Sequence, residues 1–151
     1  MMLAVFFAGI LFVLTCSSNV STFMDERAIS FHVNSHPELL RFFSFQEFSL
    51  ENPYYLSQKT GHILAFFLFT LVLKFAFKRL VVVIFISVTY AFFTEIAQLF
   101  FSRTGRLLDV IYDTTGIFLF IGFYLFYRFL ERTLYRDSKH VQQTIKLPTS
   151  Y

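Results

Sequence analysis

The sequence predicts an all-α fold, a polytopic membrane protein built as a bundle of four transmembrane helices. Hydrophobic residues make up 56% of its 151 residues and charged residues only 15%, whereas soluble domains average about 45–50% and about 25%. Four long apolar segments lie at about 2–18, 61–77, 80–101 and 110–129. None alternates polar and apolar residues as barrel strands do. Because lipid offers the backbone no hydrogen bonds, helices are the remaining way to span it.

The first segment is the shortest of the four. A spanning helix needs about 17–25 residues, so residues 2–18 only just qualify. They contain no Lys or Arg, which a secretory signal would carry before its apolar core. We therefore expect an uncleaved helix, with removal as a signal as the alternative. Cys16 is then a buried, inert side chain, and a single cysteine cannot build a disulfide framework.

The distribution of Lys and Arg predicts the topology, since short basic loops stay in the cytoplasm. Three basic residues lie between positions 74 and 79, and the region from residue 128 onward is also basic. The connection 19–60 carries five acidic and three basic residues, and we expect it to face outward. Both termini are then cytoplasmic. The expected organisation is one transmembrane domain at 1–130, followed by a polar cytoplasmic tail at 131–151.

Ionisable side chains inside the apolar segments are the most informative residues, because each costs about 2.5–3.5 kcal/mol to insert into a membrane. They occur at spacings of three or four residues, which places each pair on one helix face. Gly116 continues the face of the fourth segment and permits close helix approach. The polar positions are Lys59 and His62 at the start of the second segment, Glu95 and Gln98 on the third, Arg103 in the turn, and Asp109 and Asp113 at the start of the fourth.

Their depth indicates that these groups share an outward-facing polar cavity. Glu95 lies eight residues before Arg103, about 12 Å below the turn, and its side chain is too short to reach water. Asp113 lies about 6 Å inside by the same measure. Two plainer interpretations remain open. Lys59, taken singly, can extend to the interface, and His62 can be a histidine that is simply hydrogen-bonded within the bundle.

Three stretches resemble motifs of the VanZ-like family of bacterial integral membrane proteins: Lys59-x-x-His62, residues 94–100, and Arg103–Gly116. The last is similar to the family's order of Arg, Gly, Asp, a second Asp or Asn, and Gly. One departure is the gap before Arg103, which lacks a Pro-Gly. The resemblance implies that the polar positions above are those of the family. The family takes its name from a member associated with low-level resistance to the glycopeptide teicoplanin, and the resemblance implies no particular reaction.

The first functional hypothesis is a binding or modulating protein of the bacterial envelope. Its cavity would engage an outer-leaflet membrane lipid, a lipid-linked cell-wall precursor or a lipoglycopeptide antibiotic. Arg103 would hold a phosphate or carboxylate with its planar fork, and Lys59 would be a second cation. The carboxylates of Glu95, Asp109 and Asp113 would orient these cations or accept hydrogen bonds from sugar and amide groups.

The alternative is a membrane-embedded hydrolase or transferase acting on a lipid-linked substrate. His62 would then be a general base oriented by Asp113 or Glu95, and the carboxylates could also hold a hard divalent ion. The sequence shows no convincing nucleophile, so an enzyme ranks second and a packing scaffold third. No cofactor or metal is predicted, because no Cys/His pairing has zinc spacing. The net charge is only +3 and the apolar segments are almost uncharged. The sequence therefore shows no basic patch of the kind that binds nucleic acid.

Overall fold

The computed structural model describes residues 1–16, 33–34, 37–44, 53–101 and 105–145. Within these residues the chain forms helices and no strand, which confirms the predicted all-α class. The elements are α1 at Met2–Cys16, a short 3₁₀ helix at Leu39–Phe43, α2 at Pro53–Ala76, α3 at Leu80–Phe100 and α4 at Leu107–Ile145.

Three of the helices, α2, α3 and α4, are long and apolar enough to cross a membrane. The fourth, α1, has 15 residues and therefore rises only about 22 Å, less than the hydrocarbon thickness of about 30 Å. Its predicted end near residue 18 lies outside the described residues. Three of the four predicted helices are thus long enough to span a membrane. The fourth, α1, is apolar but shorter than a full span over its described residues.

Both α2 and α4 are longer than the apolar segments that predicted them. α2 begins at Pro53 rather than near residue 61, because proline suits the first turn of a helix and the polar residues after it are compatible with a helix. α4 continues well beyond the predicted end at residue 129, so that residues 131–145 of the predicted tail are helical. Hydropathy marks the embedded part of a helix and not its ends, which explains both differences.

The three long helices alternate in direction, so α2 and α4 begin at the end of the bundle where α3 finishes. The connection between α2 and α3 is three residues long. Lys74 stabilises this connection, because its Nζ donates hydrogen bonds to the carbonyl oxygens of Phe77 at 3.2 Å and Lys78 at 2.9 Å. These bonds satisfy carbonyl groups at the point where the helix ladder stops.

Helix α2 lies at the centre of the bundle and contacts each of the other three helices. An aromatic layer joins it to α1 and α3. The ring of Phe69 lies 4.9 Å from that of Tyr90 and 6.4 Å from that of Phe7, measured between centroids. The hydroxyl of Tyr90 donates a hydrogen bond of 2.6 Å to the carbonyl oxygen of Ala8. This layer fixes α1 against the two helices that follow it.

Gly116 allows the backbones of α2 and α4 to approach closely. A Cβ atom at this position would lie 2.1 Å from the carbonyl oxygen of Ile63, a distance that no side chain tolerates. Gly116 is also buried. The close helix approach expected from the sequence is therefore present, and it brings the polar face of α4 against the polar start of α2.

We predict that Gly116→Ala destabilises the protein by roughly 1–3 kcal/mol, the usual cost of overpacking. Gly122→Ala is the matched control on the same helix, because nothing lies within 4 Å of a Cβ there. That control should be neutral or stabilising, since alanine is the better helix former. The free energy of unfolding in detergent micelles is the measurement, and equal values for the two variants would contradict the close approach.

Candidate functional site

Six of the seven predicted polar positions meet at one end of the bundle, where α2 and α4 begin and α3 ends. We call these residues the polar cluster. None of its members is exposed: Glu95 and Asp113 have no accessible surface, and His62 is the most accessible, with 11% of its side chain exposed. The polar cluster consists of Lys59, His62, Glu95, Gln98, Asp109 and Asp113.

Lys59 and Asp109 form a buried ion pair between α2 and α4. The Lys59 Nζ donates a hydrogen bond to Asp109 Oδ1, and less than a tenth of either side chain is exposed. The ammonium group also lies 4.9 Å from the ring centroid of Tyr55 and 5.9 Å from that of Tyr112, within the range of cation–π attraction. The charge of Lys59 is therefore balanced inside the protein by one of the carboxylates that the sequence analysis expected to orient it.

His62 occupies the next turn of α2 and faces two carboxylates. Its Nδ1 lies 2.8 Å from Asp113 Oδ1 and 3.8 Å from Glu95 Oε1. A neutral imidazole with the proton on Nδ1 donates to Asp113 and keeps Nε2 as its acceptor nitrogen. His62 thus links α2 to a carboxylate of α4 and to a carboxylate of α3.

Both carboxylate oxygens of Glu95 accept hydrogen bonds. Gln98, one turn later on α3, donates its Nε2 hydrogen to Glu95 Oε1 at 2.8 Å, and the backbone N–H of Arg106 donates to Oε2 at 3.1 Å. Gly105 makes the second bond possible, because a Cβ there would lie 1.9 Å from the Glu95 carbonyl oxygen. The segment before α4 is therefore packed directly onto the last turns of α3.

Two contributors to this site were not among the candidate site residues. One is Gly105, which lies in the family motif but whose steric role the sequence does not show, and the other is the backbone N–H of Arg106, which donates regardless of the residue's side chain. A glycine two residues before a helix start is the available signal, but it does not identify the carboxylate that the freed backbone reaches. The sequence also gave no reason to place the aromatic rings of Tyr55 and Tyr112 beside Lys59.

Arg103 belongs to residues 102–104, which lie outside the described residues, so its predicted contact with this site stays a prediction. Within the polar cluster, three carboxylates face one lysine and one histidine. The Oδ2 atom of Asp113 is buried and has no hydrogen-bond partner among the described residues. The cluster therefore has acceptor capacity that its own described donors leave unused.

A groove of about 630 Å³ runs between α3 and α4 on the face of α4 opposite the polar cluster. The open polar cavity expected at the polar cluster stays a prediction. The groove is lined by residues that include Val88 and Phe92 of α3 and Val110, Ile111, Thr114 and Phe118 of α4.

The fold and this site define a class: a multi-pass helical membrane protein whose spanning helices are joined by a buried ionic cluster. Comparison with known proteins gives the family. The model of the VanZ/LLP1 family matches residues 2–129, and the chain belongs to this family. It is 34% identical over 120 residues to the uncharacterized membrane protein YwnJ of Bacillus subtilis (strain 168), covering 80% of this chain and 86% of that protein. No solved structure matches.

We predict that Lys59→Met destabilises the bundle by about 3–5 kcal/mol, because it leaves the Asp109 carboxylate buried without its cation. The double variant Lys59→Met/Asp109→Leu removes both charges and should regain most of that loss. Unfolding free energies of the two single variants and the double variant in detergent measure the coupling. If the double variant loses the sum of the single losses, the two side chains do not interact.

Proposed function

We propose that this protein is a binding or modulating protein of the bacterial envelope, whose polar cluster recognises the head group of an amphiphile in the outer leaflet. The candidates are a membrane lipid, a lipid-linked cell-wall precursor and a lipoglycopeptide antibiotic. The observation that carries the proposal is a buried oxygen, Asp113 Oδ2, which has no hydrogen-bond partner within the described part of the chain and lies beside a histidine that remains partly accessible. Unused acceptor capacity of this kind is costly in a membrane unless it serves a ligand.

The charges at the two ends of the bundle support an outward position for the polar cluster. The opposite end carries Lys74, Lys78 and Arg79 around the short connection between α2 and α3. The positive-inside rule assigns such an end to the cytoplasm. Asn34 lies at the same end of the bundle as the polar cluster, because its backbone N–H donates a 2.8 Å hydrogen bond to the carbonyl oxygen of Phe100 at the end of α3.

This orientation predicts a labelling pattern in a Cys16→Ala background. Leu40 and Lys78 are both exposed and lie at opposite ends of the bundle. With a membrane-impermeant maleimide, Leu40→Cys should react on intact cells, whereas Lys78→Cys should react only after permeabilisation. The reverse pattern would place the polar cluster on the cytoplasmic side and end the proposal of an outer-leaflet ligand.

The groove between α3 and α4 supports an amphiphile rather than a water-soluble ligand. Its volume of about 630 Å³ is in the range of small-molecule sites, and its lining is almost entirely apolar. It runs along the helix that carries Asp109 and Asp113, starting from the same end. We assign the acyl or prenyl chain of the ligand to this groove. The head group would then lie at the end of α4, where Arg103 would hold its phosphate or carboxylate.

We predict that Glu95→Gln and Asp113→Asn each weaken head-group binding by about tenfold or more, since a hydrogen bond to a charged group contributes about 1.5–3 kcal/mol. The measurement is a titration of wild-type protein in nanodiscs with a polyprenyl-linked wall precursor, a lipoglycopeptide and phosphatidylglycerol. Glu131→Gln is the matched control, because Glu131 is an exposed carboxylate paired with Arg128 far from the site.

Two results would overturn the proposed function. The first is the absence of saturable binding of all three amphiphiles to the wild-type protein. The second is binding by Glu95→Gln and Asp113→Asn with the affinity of Glu131→Gln. Lipoglycopeptide susceptibility of cells that carry these variants, expressed at equal levels in a host lacking the protein, adds a test in vivo.

One observation favours an enzyme as the second candidate. The 2.8 Å contact between His62 Nδ1 and Asp113 Oδ1 has the geometry by which a carboxylate orients a general base. Nε2 is then the nitrogen that would take a proton from a nucleophile or from water. Mass spectrometry of the lipid-linked precursor after the same incubation distinguishes the two functions, because turnover changes the mass of the precursor and binding does not.

A further inference from the structure

We propose that His62, Glu95 and Asp113 bind one divalent transition-metal ion, with Zn²⁺ as the ion that fits best. The inference goes beyond the proposed function and does not depend on it. Three different helices supply the donors: α2 supplies the imidazole, α3 the first carboxylate and α4 the second. One ligand atom from each side chain can be chosen so that all three lie within 4.8 Å of one another.

The distances match those between ligands of one metal ion. His62 Nδ1 lies 2.8 Å from Asp113 Oδ1 and 3.8 Å from Glu95 Oε1. Tetrahedral Zn²⁺ with bonds of about 2.0–2.1 Å holds its ligand atoms about 3.3 Å apart. The two distances from His62 lie on either side of this value, and all three ligand atoms lie within 4.8 Å of one another, so small side-chain movements would bring them onto one ion. With Nδ1 as the ligand, the imidazole proton lies on Nε2.

A divalent cation would balance the formal charge of these three ligands. Glu95 and Asp113 are completely buried, and the nearby ammonium of Lys59 is already paired with Asp109. In the state that binds a metal ion, with both carboxylates ionised and the imidazole neutral, the three side chains carry two negative charges, which one divalent ion balances. The buried Asp113 Oδ2 gives an independent indication, since it is a strong acceptor that has no hydrogen-bond partner among the described residues.

The hydrogen bonds around Glu95 resemble those that orient a ligand in a metal site. Gln98 and the backbone N–H of Arg106 donate to its two oxygens, and hydrogen bonds of this kind orient the ligands of metal sites. The packing of Gly105 on the Glu95 backbone fixes the helix turn from which the carboxylate projects. The carboxylate is thus oriented before an ion arrives.

The donor set selects the class of metal. One imidazole nitrogen with two carboxylates suits Zn²⁺ and related transition metals, whereas Ca²⁺ takes six to eight oxygen ligands and Mg²⁺ keeps several waters. Three protein ligands also leave a fourth position on Zn²⁺ for water or an external oxygen atom. The sequence predicts that these residues share a cavity, but it does not identify them as one metal-ligand set, because the three ligands come from separate helices and form no local motif.

The test is metal stoichiometry of the purified full-length protein in detergent, after removal of metal with a chelator. Wild type should bind about one equivalent of Zn²⁺ in equilibrium dialysis and calorimetry, and Mg²⁺ should not compete at equal concentration. His62→Ala and Asp113→Asn should lose this equivalent. Two controls should keep it: Thr70→Val, which alters a buried polar side chain deeper in the bundle, and Glu131→Gln, which removes an exposed carboxylate.

A second variant keeps the test decisive if alanine at position 62 prevents folding. His62→Cys replaces the imidazole with a thiolate, which is also a good ligand for this class of metal. With Co²⁺ in place of Zn²⁺, it should gain a sulfur-to-cobalt charge-transfer band that wild type lacks. Circular dichroism establishes that each variant is helical before it is titrated.

The proposal is overturned if wild type binds no more Zn²⁺ than His62→Ala, or if folded His62→Cys shows no thiolate band with Co²⁺. It is also overturned if Mg²⁺ displaces Zn²⁺ at equal concentration. None of the three amphiphilic ligands of the binding experiment is present in these titrations, so their failure leaves that experiment standing. Equally, a failure of amphiphile binding leaves the metal stoichiometry unaffected.

Discussion

The structure depends on the parallel packing of α2 against α4. Along this seam the contacts occur in register. Lys59 meets Asp109, and His62 meets Asp113 one turn further. The backbone of Ile63, the next residue of α2, packs against Gly116, three residues after Asp113. The glycine sets the distance between the two backbones, and the two polar contacts become possible because that distance is short. A buried ion remains in a membrane protein when it meets its counterpart, so the seam and the polar cluster stabilise each other.

Helix α3 completes the arrangement by adding a third carboxylate from the side. Glu95 approaches His62 from α3, and the segment before α4 is folded back onto the same turn of α3 through Gly105. The backbone N–H of Arg106 therefore contacts a side chain eleven residues earlier in the chain. In this way the connection between α3 and α4 becomes part of the site, and the start of α4 is fixed relative to both of its neighbours.

The resulting site divides into two parts with different chemistry. The pair of Lys59 and Asp109 is electrically balanced and enclosed by aromatic rings, so its role is to hold α2 and α4 together. The group of His62, Glu95 and Asp113 has an excess of negative charge and a buried oxygen of Asp113 without a described partner. The second part is therefore the one that has capacity for an ion or a ligand, and it borders the more accessible of the cluster's side chains.

The sequence by itself determined the helical membrane class, the family resemblance and the residues that make up the polar cluster, because apolar length, the cost of intramembrane charge and helical periodicity are local properties. The VanZ/LLP1 family and the all-α class are confirmed. Helix ends were less well predicted at α2 and α4, since hydropathy does not report on polar helical turns.

Only the tertiary structure determined which charged side chains of the different helices pair with each other. Spacing alone left open which of three carboxylates would orient Lys59, and the register of α2 on α4 places it against Asp109. The grouping of His62 with two carboxylates, and the part played by Gly105, likewise depend on three helices meeting at one depth. Local sequence fixes the face of each helix on which a side chain lies, whereas the partner across the interface follows from the rotation and offset of one helix against another.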